Sequence, residues 1–181
     1  MINKAYIKIE NIKERNVIEE LLYETFADIT IIWNDNVGKI TTDNVESFSL
    51  QLKKMSVLTL QDVGIKTSIL IVPFFDDLFV KYLSLINNDV LTAFEVFLKN
   101  ISLLMVKEDS KNILNKIKSK DLDTLKAFLS CNCNSCITAN ELFLHRNSLN
   151  YRINLLENDL DISIRDINTI MFLNLVINIC A

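Results

Sequence analysis

The sequence predicts an α+β protein, an N-terminal ferredoxin-like βαββαβ region followed by an all-α C-terminal helix-turn-helix domain. Three observations predict it. Strand and helix periodicities alternate up to about residue 75, and beyond Asp76 the apolar residues recur only at helical spacing. The chain has 181 residues, half of them hydrophobic, yet only two glycines (Gly38, Gly64) and one proline, Pro73. Average usage of those two residue types together is roughly 12%. Without clustered glycines there is no phosphate-cradling loop and no dinucleotide fingerprint. A sandwich or barrel with a tight turn every ten residues is disfavoured as well.

The elements follow in order. Ala5–Glu10 alternates apolar and charged residues, as a half-buried strand does. Glu14–Phe26 sets Val17, Ile18, Leu21 and Leu22 on one helix face. Ile29–Trp33 and Val37–Thr42, joined through Asn34-Asp35-Asn36, read as a hairpin. Asp43 or Asn44 is positioned to cap a helix running to about Asp62, with Gly64 ending it. Ile65–Phe74 is the most strand-like run, and Pro73 marks an edge or a strand terminus. From Asp76 to Glu108 the spacing predicts helix, broken or kinked at Asn87-Asn88-Asp89. Further helices are expected near Ser110–Lys118, Asp121–Cys131, Cys136–Phe143, Arg146–Asn158 and Arg165–Cys180.

The formal charge is −4, so no global cation field advertises nucleic acid or an anionic membrane. The N-terminus lacks the apolar stretch of a signal peptide. Ile167–Ala181 falls short of the ~20 residues that a membrane span needs, so a buried terminal helix and a cytoplasmic protein are expected. The four cysteines are expected as thiols. His145 is the only histidine, so no His-based acid–base pair can form. Asp76-Asp77 reads as helix capping. No catalytic arrangement emerges, and no cofactor is expected.

The informative stretch runs from Thr138 to Ile153: helix, short turn, helix. Leu149, Ile153, Leu156 and Leu160 form one apolar stripe, which leaves Asn147, Asn150, Tyr151 and Asn154 on the opposite face and Arg146 and Arg152 at its edges. Asparagine bonds adenine bidentately, arginine bonds guanine or phosphate, and helix N-terminal amides accept phosphate. The candidate DNA-contacting set is therefore His145, Arg146, Asn147, Ser148, Asn150, Tyr151, Arg152 and Asn154.

His145-Arg146-Asn147-Ser148-Leu149-Asn150-Tyr151-Arg152-Ile153, following Thr138-Ala139 and Leu142, resembles the C-terminal helix-turn-helix of the PucR/CdaR family of bacterial regulators. Asp123–Leu129 is similar to the helix leading into that domain, and Asp159–Ile162 to the segment before its last helix. The N-terminal part is similar in pattern to the degenerate GGDEF-like domain that precedes it, with no GGDEF string present. The resemblance implies a DNA-binding transcriptional regulator, a homodimer on a double-stranded operator. Residues 1–118 would serve sensing or dimerisation and residues 119–181 DNA binding. The family's pattern carries Arg or Lys where this chain has Asn150, and often basic residues at Asn154 and Leu155. From Ser119 onward five Lys/Arg face seven Asp/Glu, a net of −2. These departures keep open an alternative: an assembly or adaptor module that retains the fold without binding DNA. Cys131, Cys133, Cys136 and His145 form a further alternative, a Cys3His zinc site, against the simpler reading of incidental thiols with no metal.

Overall fold

The computed structural model describes residues 2–43 and 47–181. Strand β1 (Ile2–Ile9) leads through a short 3₁₀ turn into helix α1 (Arg15–Thr25). The hairpin β2 (Ile29–Asn34) and β3 (Val37–Asp43) follows, then α2 (Phe48–Leu58) and β4 (Thr67–Val72). β1 pairs antiparallel with both β3 and β4, and β2 pairs antiparallel with β3. Strands β1 and β2 therefore point the same way with β3 inserted between them, the split βαβ arrangement. Pro73 falls directly after β4, at a strand terminus.

One face of the sheet is covered by the two helices. Ala5, Ile7 and Ile9 of β1 pack with Ile18 and Leu22 of α1, Phe26, and Phe48, Leu52 and Met55 of α2. Gly38 permits a close approach here: a Cβ on it would lie 2.9 Å from Ile7 Cγ2 and 3.0 Å from the Trp33 ring. Trp33 is half-buried, and the Arg15 guanidinium lies 5.2 Å from its ring centroid.

The other face corrects the half-buried reading of β1. Lys4 and Tyr6 are buried as well, because Asp77–Leu85 folds back over β1 and β4 as a 3₁₀ helix. Tyr6 Oη donates to the Asp76 carbonyl at 3.0 Å, and the Phe75 ring meets Tyr6 edge-on at 5.3 Å. Burial, helped by the Asp77 and Asp76 charges against the pull of that hydrogen bond, pushes the Tyr6 phenol up to about 12. Asp76 caps the 3₁₀ segment as expected, its carboxylate accepting from Leu78 N at 3.1 Å.

The expectation of helix throughout Asp76–Glu108 also fails at β5 (Val90–Thr92), which extends the sheet parallel to β4 and gives the order β2-β3-β1-β4-β5. Tertiary pairing overrides the helical spacing here: Ile69 N donates to the Asp89 carbonyl at 2.9 Å, and Asn88 turns the chain at φ 49°. Thr92 then opens α3 (Ala93–Lys99) with a capping box. Thr92 N donates to Glu95 Oε2 at 2.7 Å and Glu95 N to Thr92 Oγ1 at 3.2 Å. The helix before β4 differs at its start too. Asp43 ends β3 instead of capping, Asn44 lies outside the described residues, and α2 begins after Ser47. It continues through one π turn, Thr59–Val63, to Gly64 at φ 73°.

By its contacts the chain divides after Val96 into two compact units. The second contains α4 (Leu104–Asn115), α5 (Ser119–Ser130), α6 (Ser135–Glu141), α7 (Arg146–Leu160) and α8 (Ile167–Cys180). Helix α8 buries the stripe Thr169, Phe172, Leu173 and Val176 while Ile167 stays exposed. It packs on α4 and α5, and Phe97 meets Phe172 edge-on at 5.1 Å. Among the described residues no helix is long and apolar enough to cross a membrane.

Candidate nucleic-acid interface

Helices α5, α6 and α7 pack against one another, with a four-residue connection, Leu142–His145, between the last two. Local chemistry sets each boundary. The Asn134 side chain caps α6, accepting from Cys136 N at 3.0 Å and Ile137 N at 3.2 Å. Thr138 and Ala139 are buried, so their side of α6 carries no bulk that would hold a neighbour away. Helix α7 starts at His145, whose Nδ1 accepts from Asn147 N at 3.2 Å. That gives the lone histidine a capping role on exposed ground.

Along α7, Leu149, Ile153 and Leu156 are buried, and Leu160 is half-buried at the C-terminal end of the stripe. His145, Arg146, Asn147, Ser148, Tyr151 and Asn154 are exposed, Tyr151 at 65%, while Asn150 and Arg152 are half-buried. The structure therefore gathers the eight candidate residues on one helix and its cap. Among the described residues neither Arg146 nor Arg152 has a carboxylate partner.

The acidic surplus of this region is spent elsewhere. From Leu142 to Leu156 the chain carries Arg146 and Arg152 and no acid. Asp166 caps α8, accepting from Thr169 N at 2.8 Å, and Glu157 accepts from Ile164 N at 2.8 Å. Asp159 pairs with Lys118 at 3.0 Å, a bond that raises the lysine's pKa and ties the start of α5 to the end of α7. Lys118 is thus an ion-pair partner and not a free cation.

The cysteines do not converge with His145. Cys131 is buried with Sγ donating to Glu141 Oε2 at 3.5 Å, Cys133 is half-buried, and Cys136 is exposed. Among the described residues no group of three or more His, Cys, Asp or Glu is placed to hold a metal ion. Burial pushes the Cys133 thiol up, away from the thiolate that metal binding or exchange needs.

One residue that the periodicity did not single out stands beside this face. Phe143, in the turn, is 96% exposed and has φ 52°. A non-glycine residue in that region costs about 1–2 kcal/mol. The available signal is the glycine scarcity: with only Gly38 and Gly64 in the chain, left-handed helix ends must fall on other residue types.

The helix-turn-helix so defined has a recognised type. Residues 121–179 match the PucR C-terminal helix-turn-helix domain. The match covers about a third of the chain. A crystal structure of a regulator of polyketide synthase expression from Bifidobacterium adolescentis is also similar, with 12% identity and a TM-score of 0.46 over 99% of this chain and 81% of that one. At that score the likeness fixes neither fold nor function. No curated protein matches.

Proposed function

We propose that this protein is a DNA-binding transcriptional regulator of the PucR/CdaR type, acting as a homodimer on a double-stranded operator. The observation that carries the reading is a PucR-type domain whose α7 presents Arg146, Asn147, Tyr151 and Asn154 outward, with no acid between Leu142 and Leu156. In this reading the N-terminal turn of α7 enters the major groove. Asn147, Asn150 and Asn154 read base edges, Arg146 and Arg152 bond guanine or phosphate, and His145, Ser148 and Tyr151 touch the backbone. Residues 119–181 would be the DNA-binding part and residues 1–118 the sensing or dimerising part, without catalysis or a cofactor. A regulator of this kind works in the cytoplasm, where its operator is. Two arginines per protomer give modest phosphate neutralisation, and a dimer doubles it.

The test is fluorescence anisotropy of the full chain with duplex DNA from upstream of its own coding sequence, across a salt series. Arg146→Ala with Arg152→Ala is expected to weaken binding about tenfold or more and to flatten the salt dependence. Unchanged affinity and slope would overturn these contacts. Asn150 and Asn154, where the family's pattern is basic, favour a second reading as an assembly module. It would show as no duplex binding together with self-association that depends on the α7 asparagines.

A further inference from the structure

Three helices of the C-terminal unit close their last turn through the same pair of hydrogen bonds, a 6→1 and a 5→2, with left-handed backbone at the turn. At the end of α5, Cys133 N donates to Phe128 O at 2.8 Å and Asn132 N to Leu129 O at 3.0 Å. At the end of α6, Leu144 N donates to Ala139 O at 2.8 Å and Phe143 N to Asn140 O at 3.1 Å. At the end of α7, Ile162 N donates to Glu157 O at 3.0 Å and Asp161 N to Asn158 O at 3.3 Å. The residue between the two bonded amides is left-handed in each, Asn132, Phe143 and Asp161 all at φ 52°, and at the end of α5 the half-buried Cys133 follows at φ 59°.

Two of these residues are chemically suited to the position. Short polar side chains such as Asn and Asp tolerate left-handed backbone, and an aromatic side chain does not. Phe143 gains nothing from packing in return, since it is 96% exposed. Glycine or asparagine would close α6 equally well and remove both penalties. The fold supplies no reason for the phenylalanine, so its use lies outside the fold.

We infer that Phe143 is an apolar DNA contact of the turn, pressing on the wall of the groove that α7 enters. The inference rests on the DNA-binding reading above. Phe143 lies two residues before the His145 cap, and His145, Arg146 and Asn147 after it are exposed as well. When a helix-turn-helix docks, the second helix enters the major groove and the first crosses the backbone, which sets the turn between them against the groove wall. The apolar atoms available there are deoxyribose carbons and the thymine methyl. An uncharged contact of this kind adds affinity to a face whose cations are only Arg146 and Arg152.

The full chain is used to select a duplex from a random-sequence library, and anisotropy with that duplex compares wild type, Phe143→Gly and Phe143→Asn. Both variants are expected to bind about tenfold more weakly, the scale of one lost apolar or base contact, with an unchanged salt slope. Phe143→Gly is expected to melt about 2–4 °C higher, because the backbone strain is gone. Replacing thymine by deoxyuracil in the duplex separates the two sources. If the methyl is touched, wild-type affinity falls to the level of the variants, and if deoxyribose is touched it does not change. Variants that bind like wild type, while Arg146→Ala with Arg152→Ala weakens binding, overturn the inference and leave the DNA reading standing. Altered sedimentation of the variants with unchanged DNA affinity also overturns it, in favour of a contact between copies of the chain. A wild-type chain that selects no duplex overturns the DNA reading and this inference together.

Discussion

The two units of this molecule are held in different ways. In the sheet unit the decisive contacts join residues far apart in the chain, such as Ile7 opposite Ile69, or Tyr6 under the Asp76 carbonyl. In the helical unit many boundaries are closed by a residue at the boundary itself: Asn134 on α6, His145 on α7, Asp166 on α8. Long-range pairing makes the sheet sensitive to single atoms at close approaches. Local capping makes the helices separable steps, each modest in energy, and leaves side chains such as Phe143 free of any task in the core.

The largest effect should come from crowding the sheet. Gly38→Ala is expected to cost about 1–3 kcal/mol, since the added methyl meets buried Ile7 and the Trp33 ring from two sides. Chemical denaturation measures it, and a loss under a few tenths of a kcal/mol would mean that the hairpin yields freely. Local caps come next. Asp166→Ala and Thr92→Ala should each cost about 0.5–2 kcal/mol. Hydrogen exchange sharpens the comparison: Asp166→Ala should deprotect only the first turn of α8. Thr92→Ala should expose the start of α3 and leave Val90 and Leu91 protected through β4. Joint loss of β5 and α3 would show that the capping box also holds the strand.

The last effect is confined to alkali and vanishes at neutral pH. The Tyr6 phenol titrates near 12 in the folded chain against an ordinary value of 10.0. The unfolded chain therefore loses that proton first. Stability from this group is complete below pH 10 and falls as pH rises from 10 towards 12. Tyr6→Phe removes the ionisation, so its melting temperature should decline less steeply over that interval. Parallel profiles for the two proteins would refute the assignment.

The helix-turn-helix stretch was legible because its signals are local. The stripe Leu149, Ile153, Leu156 and the motif around His145 lie within one helix and its cap, and so do the eight candidate residues. The βαββαβ order was legible for a related reason: each strand and helix there has its own period. The segment after Asp76 was not. Val90-Leu91-Thr92 is too short to carry a period, and only the open edge of β4 makes it a strand. The T-x-x-E spacing of Thr92 and Glu95, which the helical reading passed over, is the local signal for where the helix starts. The net charge of the C-terminal third did not show where its acids lie, since a sum cannot tell which acids cap helices.

By itself the sequence determined the class of fold and a helix-turn-helix similar to the PucR type, because hydrophobic period, caps and a short motif are properties of neighbouring residues. The tertiary structure alone decided the second covering of β1, the strand β5, the engagement of Glu157 and Asp159 at the C-terminal end of α7 and of Asp166 at the start of α8, and the exposure of a strained Phe143. Each of these depends on which distant groups come to lie together, and burial, pairing and strain are energies of that meeting.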